Sequence, residues 1–251
     1  MRVVLIGAGN VATVLGRLVK KAGHEIGQVL SRDAVHAREL ADTLQCSYSD
    51  YNGPIDKDAG LYIIAVKDSA LYELNSMFHL GNKMVVHTAG SISKDVLKDI
   101  SINYGVLYPL QSMRKEMEVS TDIPLLVDGN TTESTTLLED FANTISSMVS
   151  KANDEERLKL HVAAVIVSNF TNHLYTLAED FCLEEKVDFK MLLPLIRETA
   201  NRIATHSPSS VQTGPALRHD MITLDKHLRL LESHKKLRYL YLKLTDSIMN
   251  R

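Results

Sequence analysis

A glycine-rich turn near the start of the chain has the residue spacing of a phosphate-binding loop. It directly follows the apolar run at residues 3–6, opens a helical pattern and has the sequence Gly7-Ala8-Gly9-Asn10-Val11-Ala12. The first glycine permits a tight turn, the second lets a pyrophosphate approach the backbone, and the small last residue packs closely on the strand. The N–H groups of the helix N-terminus would then face the phosphates. The pattern predicts dinucleotide binding by this turn, and the alternative is an ordinary glycine turn.

The end of the second predicted strand indicates which dinucleotide binds. An NAD site commonly places Asp or Glu about 20 residues beyond the glycines, where the carboxylate binds the ribose 2′-hydroxyl. Here the strand ends in Ser31 and Arg32. A guanidinium can pair with a 2′-phosphate and lie over the adenine, and Ser31 can donate to the same phosphate. Asp33 is the alternative ribose ligand, but its place before a helical pattern favours a role as N-cap. The sequence therefore favours NADP over NAD.

Two further predicted strands, at residues 61–66 and 83–87, end where a ligand is expected. In an open parallel sheet, ligands bind beyond the carboxyl ends of the strands. We therefore expect Ala65, Val66, Lys67 and Thr88 to border the cofactor. His87 is a candidate catalytic acid or base, because imidazole titrates near neutrality. The alternative for His87 is a local hydrogen bond that helps to form the turn.

Polar residues interrupt a long apolar helical pattern at residues 155–184. His161, Ser168 and Asn172 are spaced i, i+7 and i+11, which places them within ~20° of one another on an ideal α-helix. Asn169 lies further round. Buried polar groups need partners, so this face meets either a ligand or another helix at a domain or dimer interface. If it meets a ligand, His161 and Asn169 are candidate catalytic residues and Asn172 is a candidate substrate contact.

A loop before the last helical pattern carries two charged candidates, Arg218 and Asp220. Arg218 could bind a substrate carboxylate or phosphate through two parallel hydrogen bonds. Asp220 is a second candidate substrate contact. The alternatives are a clamp between helices for both residues and an N-cap for Asp220.

The composition limits the class of protein. The chain has 251 residues with 45% hydrophobic residues, and 28 Lys and Arg against 31 Asp and Glu give a net charge of −3. This near-neutral balance does not favour a nucleic-acid partner. The two cysteines, Cys46 and Cys182, form no metal-ligand spacing, so no metal site is expected. No apolar run approaches ~18 residues and no secretory pattern is present, so we expect a cytoplasmic protein that does not cross a membrane.

The order of predicted elements divides the chain near residue 153. Before it, short apolar runs alternate with helical patterns, which is typical of a parallel sheet wrapped by helices. After it, the sequence contains no strand-like run, and three long helical patterns follow at residues 155–184, 189–205 and 220–249. We therefore predict an α/β domain at residues 1–153 and an all-helical domain at residues 154–251.

Several of these segments carry a resemblance to known families. The glycine turn, Ser31-Arg32 and Ala65-Val66-x-Asp68 resemble the Rossmann-type NADP-binding domain of pyrroline-5-carboxylate reductases and deazaflavin-dependent NADP reductases. Nearly the whole chain resembles a bacterial family with a Rossmann-like domain and a C-terminal domain of unknown function. The residues that carry this second resemblance are His87-Thr88-Ala89-Gly90-Ser91, Pro109-Leu110-Gln111-Ser112, Leu160-His161-x-Ala163-Ala164-Val165, Asn169, Thr213-Gly214-Pro215-x-x-Arg218-x-Asp220 and His227-Leu228.

The resemblance implies a function and an assembly. It implies a helical domain of the 6-phosphogluconate dehydrogenase-like type, a homodimer built by that domain, and an active site in the cleft between domains. Where relatives often have His before Pro109, this chain has Tyr108, so a catalytic role there is not expected. The resulting hypothesis is an NADP(H)-dependent oxidoreductase acting on a small carbonyl, imine or hydroxy acid. The alternative is an NADP(H)-binding sensor or regulatory protein without turnover.

Overall fold

The protein divides into two compact units. A computed structural model describes residues 1–118 and 120–250. Packing groups Met1–Ser168 in one unit and Asn169–Arg251 in the other. The predicted boundary after residue 153 falls at the start of a helix that packs with the first unit. Arg251, the last residue of the predicted helical domain, lies outside the described residues.

The first unit contains one sheet, which in the described residues has eight strands. The strands are β1 (Arg2–Ile6), β2 (Glu25–Leu30), β3 (Ser47–Ser49), β4 (Leu61–Ile64), β5 (Gly81–His87), β6 (Ser101–Pro109), β7 (Leu125–Gly129) and β8 (Val149–Lys151). Their order is β3-β2-β1-β4-β5-β6-β7-β8. Neighbours run parallel except β6 and β7, which are antiparallel. The carboxyl ends of β1 to β6 therefore meet at one edge, where α/β proteins bind ligands.

Helices cover both faces of this sheet. In the first unit they are α1 (Asn10–Lys21), α2 (Ala34–Leu44), α3 (Asp68–Leu74), α4 (Thr132–Ile145) and α5 (Asp154–Ala164), with a 3₁₀ turn at Lys94–Leu97. One buried cluster joins α1, α2 and α4 to the sheet through Leu15, Leu40 and Phe141. The other joins α3 and the 3₁₀ turn to the opposite face through Leu74 and Leu97. The continuous apolar strands are buried on both faces, as parallel strands require.

Helices are the only regular secondary structure in the described residues of the second unit. It contains α6 (Thr171–Glu184), a 3₁₀ turn at Phe189–Leu192, α7 (Leu193–Arg202), α8 (Met221–Leu230) and α9 (Lys235–Met249). His234 lies between α8 and α9, with Nδ1 at 3.0 Å from a carboxylate oxygen of Glu184 and Nε2 at 2.8 Å from one of Glu185. These contacts join the end of α6 to the start of α9. None of the helices in residues 1–118 and 120–250 has the length and apolarity needed to cross a membrane.

The predicted fold class is confirmed, with corrections to individual elements. The long helix predicted at residues 155–184 is interrupted by a π-helical segment at Val165–Phe170. The pattern at 220–249 breaks between α8 and α9. In the pattern at 189–205, Pro194 predicts a kink or a later start, and the α-helix begins at Leu193 with Pro194 in its first turn. Proline is tolerated there because its missing N–H would have no partner in the first turn. The short strands β3 and β8 were not predicted.

Candidate active site

The glycine turn between β1 and α1 has the geometry expected of a phosphate-binding loop. Gly7 has a φ of +122°, and a Cβ built on it would lie 2.2 Å from the carbonyl oxygen of Ala65. Only glycine combines that backbone angle with so close an approach. Ala12 is fully buried, in agreement with the close helix–strand packing expected of the last residue. The requirement for glycine at position 7 therefore comes from the close approach of the turn to the end of β4.

Gly9 faces open space where a phosphate would approach. A Cβ built on Gly9 would meet no atom within 4 Å, so no packing within the described residues accounts for glycine here. Gly9 is the N-cap of α1, and no side chain caps this helix. The N–H groups of the first turn are thus left for another acceptor. These features fit a dinucleotide pyrophosphate.

Arg32 and Asp33, the two charged candidates for binding the adenosine ribose, have different environments after β2. Asp33 is the N-cap of α2, and its carboxylate accepts a hydrogen bond of 2.8 Å from the N–H of Val35. The side chain of Arg32 is exposed and makes no ion pair within residues 1–118 and 120–250. Ser31 Oγ lies 3.4 Å from the N–H of Asp33. The acid is therefore engaged in the helix cap, whereas the guanidinium remains accessible to an anion.

The ends of β4 and β5 lie side by side at the same edge. Thr88 donates its backbone N–H to the carbonyl oxygen of Ile64 at 3.2 Å, which places Thr88 beside the start of the segment Ala65-Val66-Lys67. Lys67 is exposed and precedes α3. Ser91 donates to a carboxylate oxygen of Asp68 at 2.7 Å and so ties the two strand-end turns together. The predicted cofactor residues of these two strands thus share one edge of the sheet with the glycine turn.

His87 is buried in the interior rather than open to a ligand. Its side chain is fully inaccessible, and its Nδ1 accepts a hydrogen bond of 3.1 Å from the N–H of Ala89. Burial, together with the nearby positive charge of Arg157, lowers the pKa of His87 to about 4, although a hydrogen bond with the backbone of Ser93 acts in the opposite direction. A neutral, enclosed ring that holds the turn corresponds to the alternative role given to this residue.

A second histidine forms a pair with a tyrosine at the edge of the sheet where the carboxyl ends of β1 to β6 meet. The hydroxyl oxygen of Tyr108, at the end of β6, lies 2.9 Å from Nδ1 of His161 on α5. The two rings meet edge to face with centroids 5.9 Å apart. His161 also packs on Gly90, since a Cβ built on Gly90 would lie 2.6 Å from His161 Nδ1. Tyr108 is almost buried, and this burial raises its pKa, although Arg157 opposes the change.

The remaining polar residues of the predicted long helix do not share one continuous α-helix with His161. The π-helical segment Val165–Phe170 contains Ser168 and Asn169, and Asn172 follows on α6. A π-helix has a wider turn than an α-helix, so the 100° spacing does not carry through from His161 to Asn172. Asn169 and Asn172 are both exposed. Their side chains are therefore accessible rather than buried among apolar neighbours.

The charged candidates of the second unit have separate environments. Asp220 is the N-cap of α8, and its two carboxylate oxygens accept hydrogen bonds from the N–H and the hydroxyl of Thr223. These bonds hold the pKa of Asp220 below its usual range. Arg218 is exposed and has no ion pair in the part of the chain that the structure describes. On the same unit, Nδ1 of His227 lies 2.7 Å from the hydroxyl of Tyr241.

Sequence reasoning overlooked two residues near the ligand edge, Tyr108 and Arg157. Tyr108 was set aside because relatives often have histidine there, and Arg157 lies in a charged stretch that reads as a solvated first turn. Arg157 is 1% exposed, which a helical pattern of mixed charges does not indicate.

No group of three or more His, Cys, Asp or Glu side chains in the described ranges could hold a metal ion.

Family models match both halves of the chain. Residues 2–90 match the NADP oxidoreductase, coenzyme F420-dependent family, and residues 123–248 match the domain of unknown function DUF2520. The chain belongs to the family of NADP oxidoreductases that carry a DUF2520 domain. Membership in this family assigns it to the NAD(P)-linked oxidoreductases and confirms the resemblance seen in the sequence. No curated protein is similar enough to be matched.

Solved structures include similar members of this group. A Bacteroides fragilis protein provisionally assigned as an NADP oxidoreductase is 40% identical, with a TM-score of 0.92 over 100% of this chain and 98% of that one. A Thermotoga maritima protein is 22% identical, with a TM-score of 0.82 over 99% and 98%. Pyrroline-5-carboxylate reductase from Streptococcus pyogenes is 15% identical, with a TM-score of 0.66 over 100% and 99%. The last two likenesses concern the fold alone.

Proposed function

We propose that this family member is an NADP(H)-dependent oxidoreductase that transfers a hydride to or from a small carbonyl, imine or hydroxy-acid substrate. The observation that carries the proposal is the contact of 2.9 Å between Tyr108 and His161. Tyr108 ends β6 at the edge of the sheet where the glycine turn also lies. A titratable pair at the same sheet edge as a dinucleotide loop has the parts that a hydride-transfer enzyme needs.

The preference for NADP rests on the end of β2. Arg32 is exposed and unpaired among the described residues, while Asp33 is occupied as a helix cap. A guanidinium favours a 2′-phosphate, whereas an NAD site would need a free carboxylate for the 2′-hydroxyl. Ser31 supplies a second donor. Lys67 and Thr88 are proposed to line the remainder of the cofactor.

In the proposed mechanism, His161 is the proton donor for the reduced carbonyl or imine. Bound NADPH would supply a hydride to the carbonyl or imine carbon, and the electron pair of that double bond would move to oxygen or nitrogen. His161 donates a proton from Nε2 to that atom, while its Nδ1–H donates to the hydroxyl oxygen of Tyr108. Burial raises the pKa of Tyr108, so its hydroxyl stays protonated near neutrality and orients the ring. In the oxidation direction, His161 accepts the proton instead.

Residues of the second unit are proposed to hold the substrate. Arg218 would bind a substrate carboxylate, because it is exposed and lacks an ion-pair partner among the described residues. Asn169 and Asn172 would contact the reacting or neighbouring polar groups through their exposed amides. Asp220 would act indirectly, since Thr223 occupies its carboxylate.

The helices of the second unit are proposed to pair with a second copy of the chain. Large apolar side chains are exposed on several of them, including Leu183 at 78%, Met191 at 77% and Ile222 at 73%. Monomeric proteins rarely leave so many large apolar residues in water. Light scattering should therefore give the mass of a dimer, and a monomeric mass across the micromolar range would contradict this assembly.

The proposed cofactor is tested by titrating the protein with NADPH and NADH, with fluorescence and melting temperature as readouts. We expect tighter binding of NADPH, and we expect Arg32→Ala to remove that preference while NADH binding stays unchanged. Arg38→Ala is the matched control, since Arg38 is an exposed arginine on α2. Absence of binding of either nucleotide at millimolar concentration would contradict the proposal. Selective binding would then justify a screen of carbonyl, imine and hydroxy-acid substrates.

A further inference from the structure

A buried arginine lies close to Tyr108 and one helical turn before His161 on α5. Arg157 is 1% exposed, and one terminal nitrogen, Nη2, donates to the carbonyl oxygen of Ile92 and, at 2.7 Å, to the carboxylate of Asp154. Its Nε and Nη1 are buried without a hydrogen-bond partner in the described part of the chain. A buried charge with unpaired N–H groups destabilises a fold, and an apolar side chain would pack there at lower cost. The charge at this position therefore calls for an explanation beyond packing.

Arg157 and its neighbour on α5 fix the turn that follows β5. Arg157 holds the carbonyl of Ile92, and Asp154 accepts the N–H of Lys94 at 3.2 Å. One helical turn beyond Arg157, His161 rests on the backbone of Gly90. Residues i and i+4 share one face of a helix. The same face of α5 is thus attached to the turn at Ile92 and Lys94 and carries the ring of His161 at Gly90.

The positive charge also acts on the rings around it. The guanidinium lowers the pKa of Tyr108, in opposition to burial, and lowers the pKa of His87 in the same direction as burial. Asp68 acts in the opposite direction to Arg157 on both rings. Arg157 therefore lies close enough to Tyr108 to affect the pKa of its hydroxyl, and its hydrogen bond to Ile92 holds the neighbouring backbone.

We propose that Arg157 is a positioning residue for the Tyr108–His161 pair: it holds the turn at Gly90–Ile92 against α5, so that His161 keeps its hydrogen bond to Tyr108. Its effect on catalysis rests on the proposed function, whereas its effect on the geometry of the pair does not. Loss of Arg157 would release the turn and let the imidazole of His161 rotate away from the hydroxyl.

The test compares Arg157→Met and Arg157→Lys with the unchanged protein by nitrogen NMR of ¹⁵N-labelled histidine. The His161 signals are assigned by their loss in His161→Gln. We expect one imidazole tautomer in the unchanged protein, and a mixture of tautomers in Arg157→Met that matches the mixture in Tyr108→Phe. Arg157→Lys, which keeps a donor and the charge, should restore part of the single-tautomer signal.

Kinetics and a second variant separate the possible outcomes. With a substrate in hand, Arg157→Met should lower kcat at least 10-fold and leave NADPH affinity unchanged. Asp154→Asn is the second variant, for use if Arg157→Met fails to fold. It weakens the hydrogen bonding of Arg157 but keeps the buried charge, so we expect smaller changes in kcat and in the His161 signals. Unchanged His161 signals in folded Arg157→Met, or in Asp154→Asn if only that variant folds, would overturn the inference. Altered His161 signals in a protein without NADPH binding would uphold the positioning role and contradict only the proposed function.

Discussion

The hydroxyl of Tyr108 and Nδ1 of His161 are 2.9 Å apart, although 53 residues separate them in the chain. One lies at the end of β6 and the other on the second half of α5. Their contact occupies Nδ1 and leaves Nε2 as the nitrogen that can exchange a proton with a ligand. A titratable group whose orientation is fixed by a neighbour is the usual arrangement of an acid–base residue.

Substitutions of this pair should separate proton transfer from orientation. We expect His161→Gln to lower kcat by about 10²- to 10⁴-fold, the range usual for loss of an acid–base group. Tyr108→Phe removes only the orienting hydroxyl, so its effect should be smaller. NADPH affinity should stay unchanged in both, as measured by fluorescence titration. His79→Gln, at an exposed position, is the control, and an equal loss of activity in His79→Gln would argue against a specific role for His161.

The two glycines of the turn should respond differently to the same substitution. Gly7→Ala would force a Cβ to within 2.2 Å of a carbonyl oxygen at a φ of +122°, so the melting temperature should fall. Gly9→Ala meets nothing within 4 Å, so the protein should fold normally and bind NADPH at least 10-fold more weakly because the methyl group blocks the pyrophosphate. Undiminished NADPH binding by folded Gly9→Ala would place the nucleotide elsewhere.

The contact between Gly90 and His161 can be tested by a double-mutant cycle. Gly90→Ala places a Cβ 2.6 Å from His161 Nδ1 and 3.0 Å from Cζ of Tyr108, and such overpacking typically costs about 1–3 kcal/mol. In a His161→Ala background the nearest clash is gone, so urea unfolding should show a smaller cost for the same change. Equal costs in the two backgrounds would mean that His161 does not pack on Gly90 in solution.

His87 should make folding stability depend on pH. Burial lowers the pKa of His87 in the folded protein to about 4, against about 6.5 in an unfolded chain. Between these values the unfolded state binds more protons, so stability is full above about pH 6.5 and falls as the pH drops toward 4, by up to the order of 3 kcal/mol. Urea unfolding at pH 7.5 and pH 5 measures this change. His87→Gln should reduce the difference between the two pH values, and an unaltered difference would assign it to other groups.

The sequence predicted the elements whose local signals are strong. The strands β1 and β4 are almost wholly apolar, and β2 and β5 each contain a short apolar run. Asp33 is the N-cap of α2, as its position before the helical pattern predicts. The strands β3 and β8 have three residues each and are largely polar, so their pairing depends on neighbouring strands rather than on their own pattern. Apolar periodicity does not reveal the wider turn at Val165–Phe170, since the residues on either side still repeat as in an α-helix.

The candidate site was harder to predict, because its contacts join distant parts of the chain. Arg157 reaches the carbonyl of Ile92 across 65 residues, and Tyr108 reaches His161 across 53. The glycine turn could be identified because its chemistry lies within one short segment. His87 and His161 look equivalent as residue types, and only the sheet topology shows that one is enclosed and the other partly open.

The helix cap formed by Asp33 also constrains how cofactor preference could evolve or be engineered. Its carboxylate already accepts the N–H of Val35, and loss of such a cap commonly costs about 1 kcal/mol. Redirecting the side chain toward an unphosphorylated ribose would therefore weaken the start of α2. A change of preference toward NADH by this route requires two steps, namely removal of the guanidinium at position 32 and a new carboxylate at a position free of the cap, such as position 31.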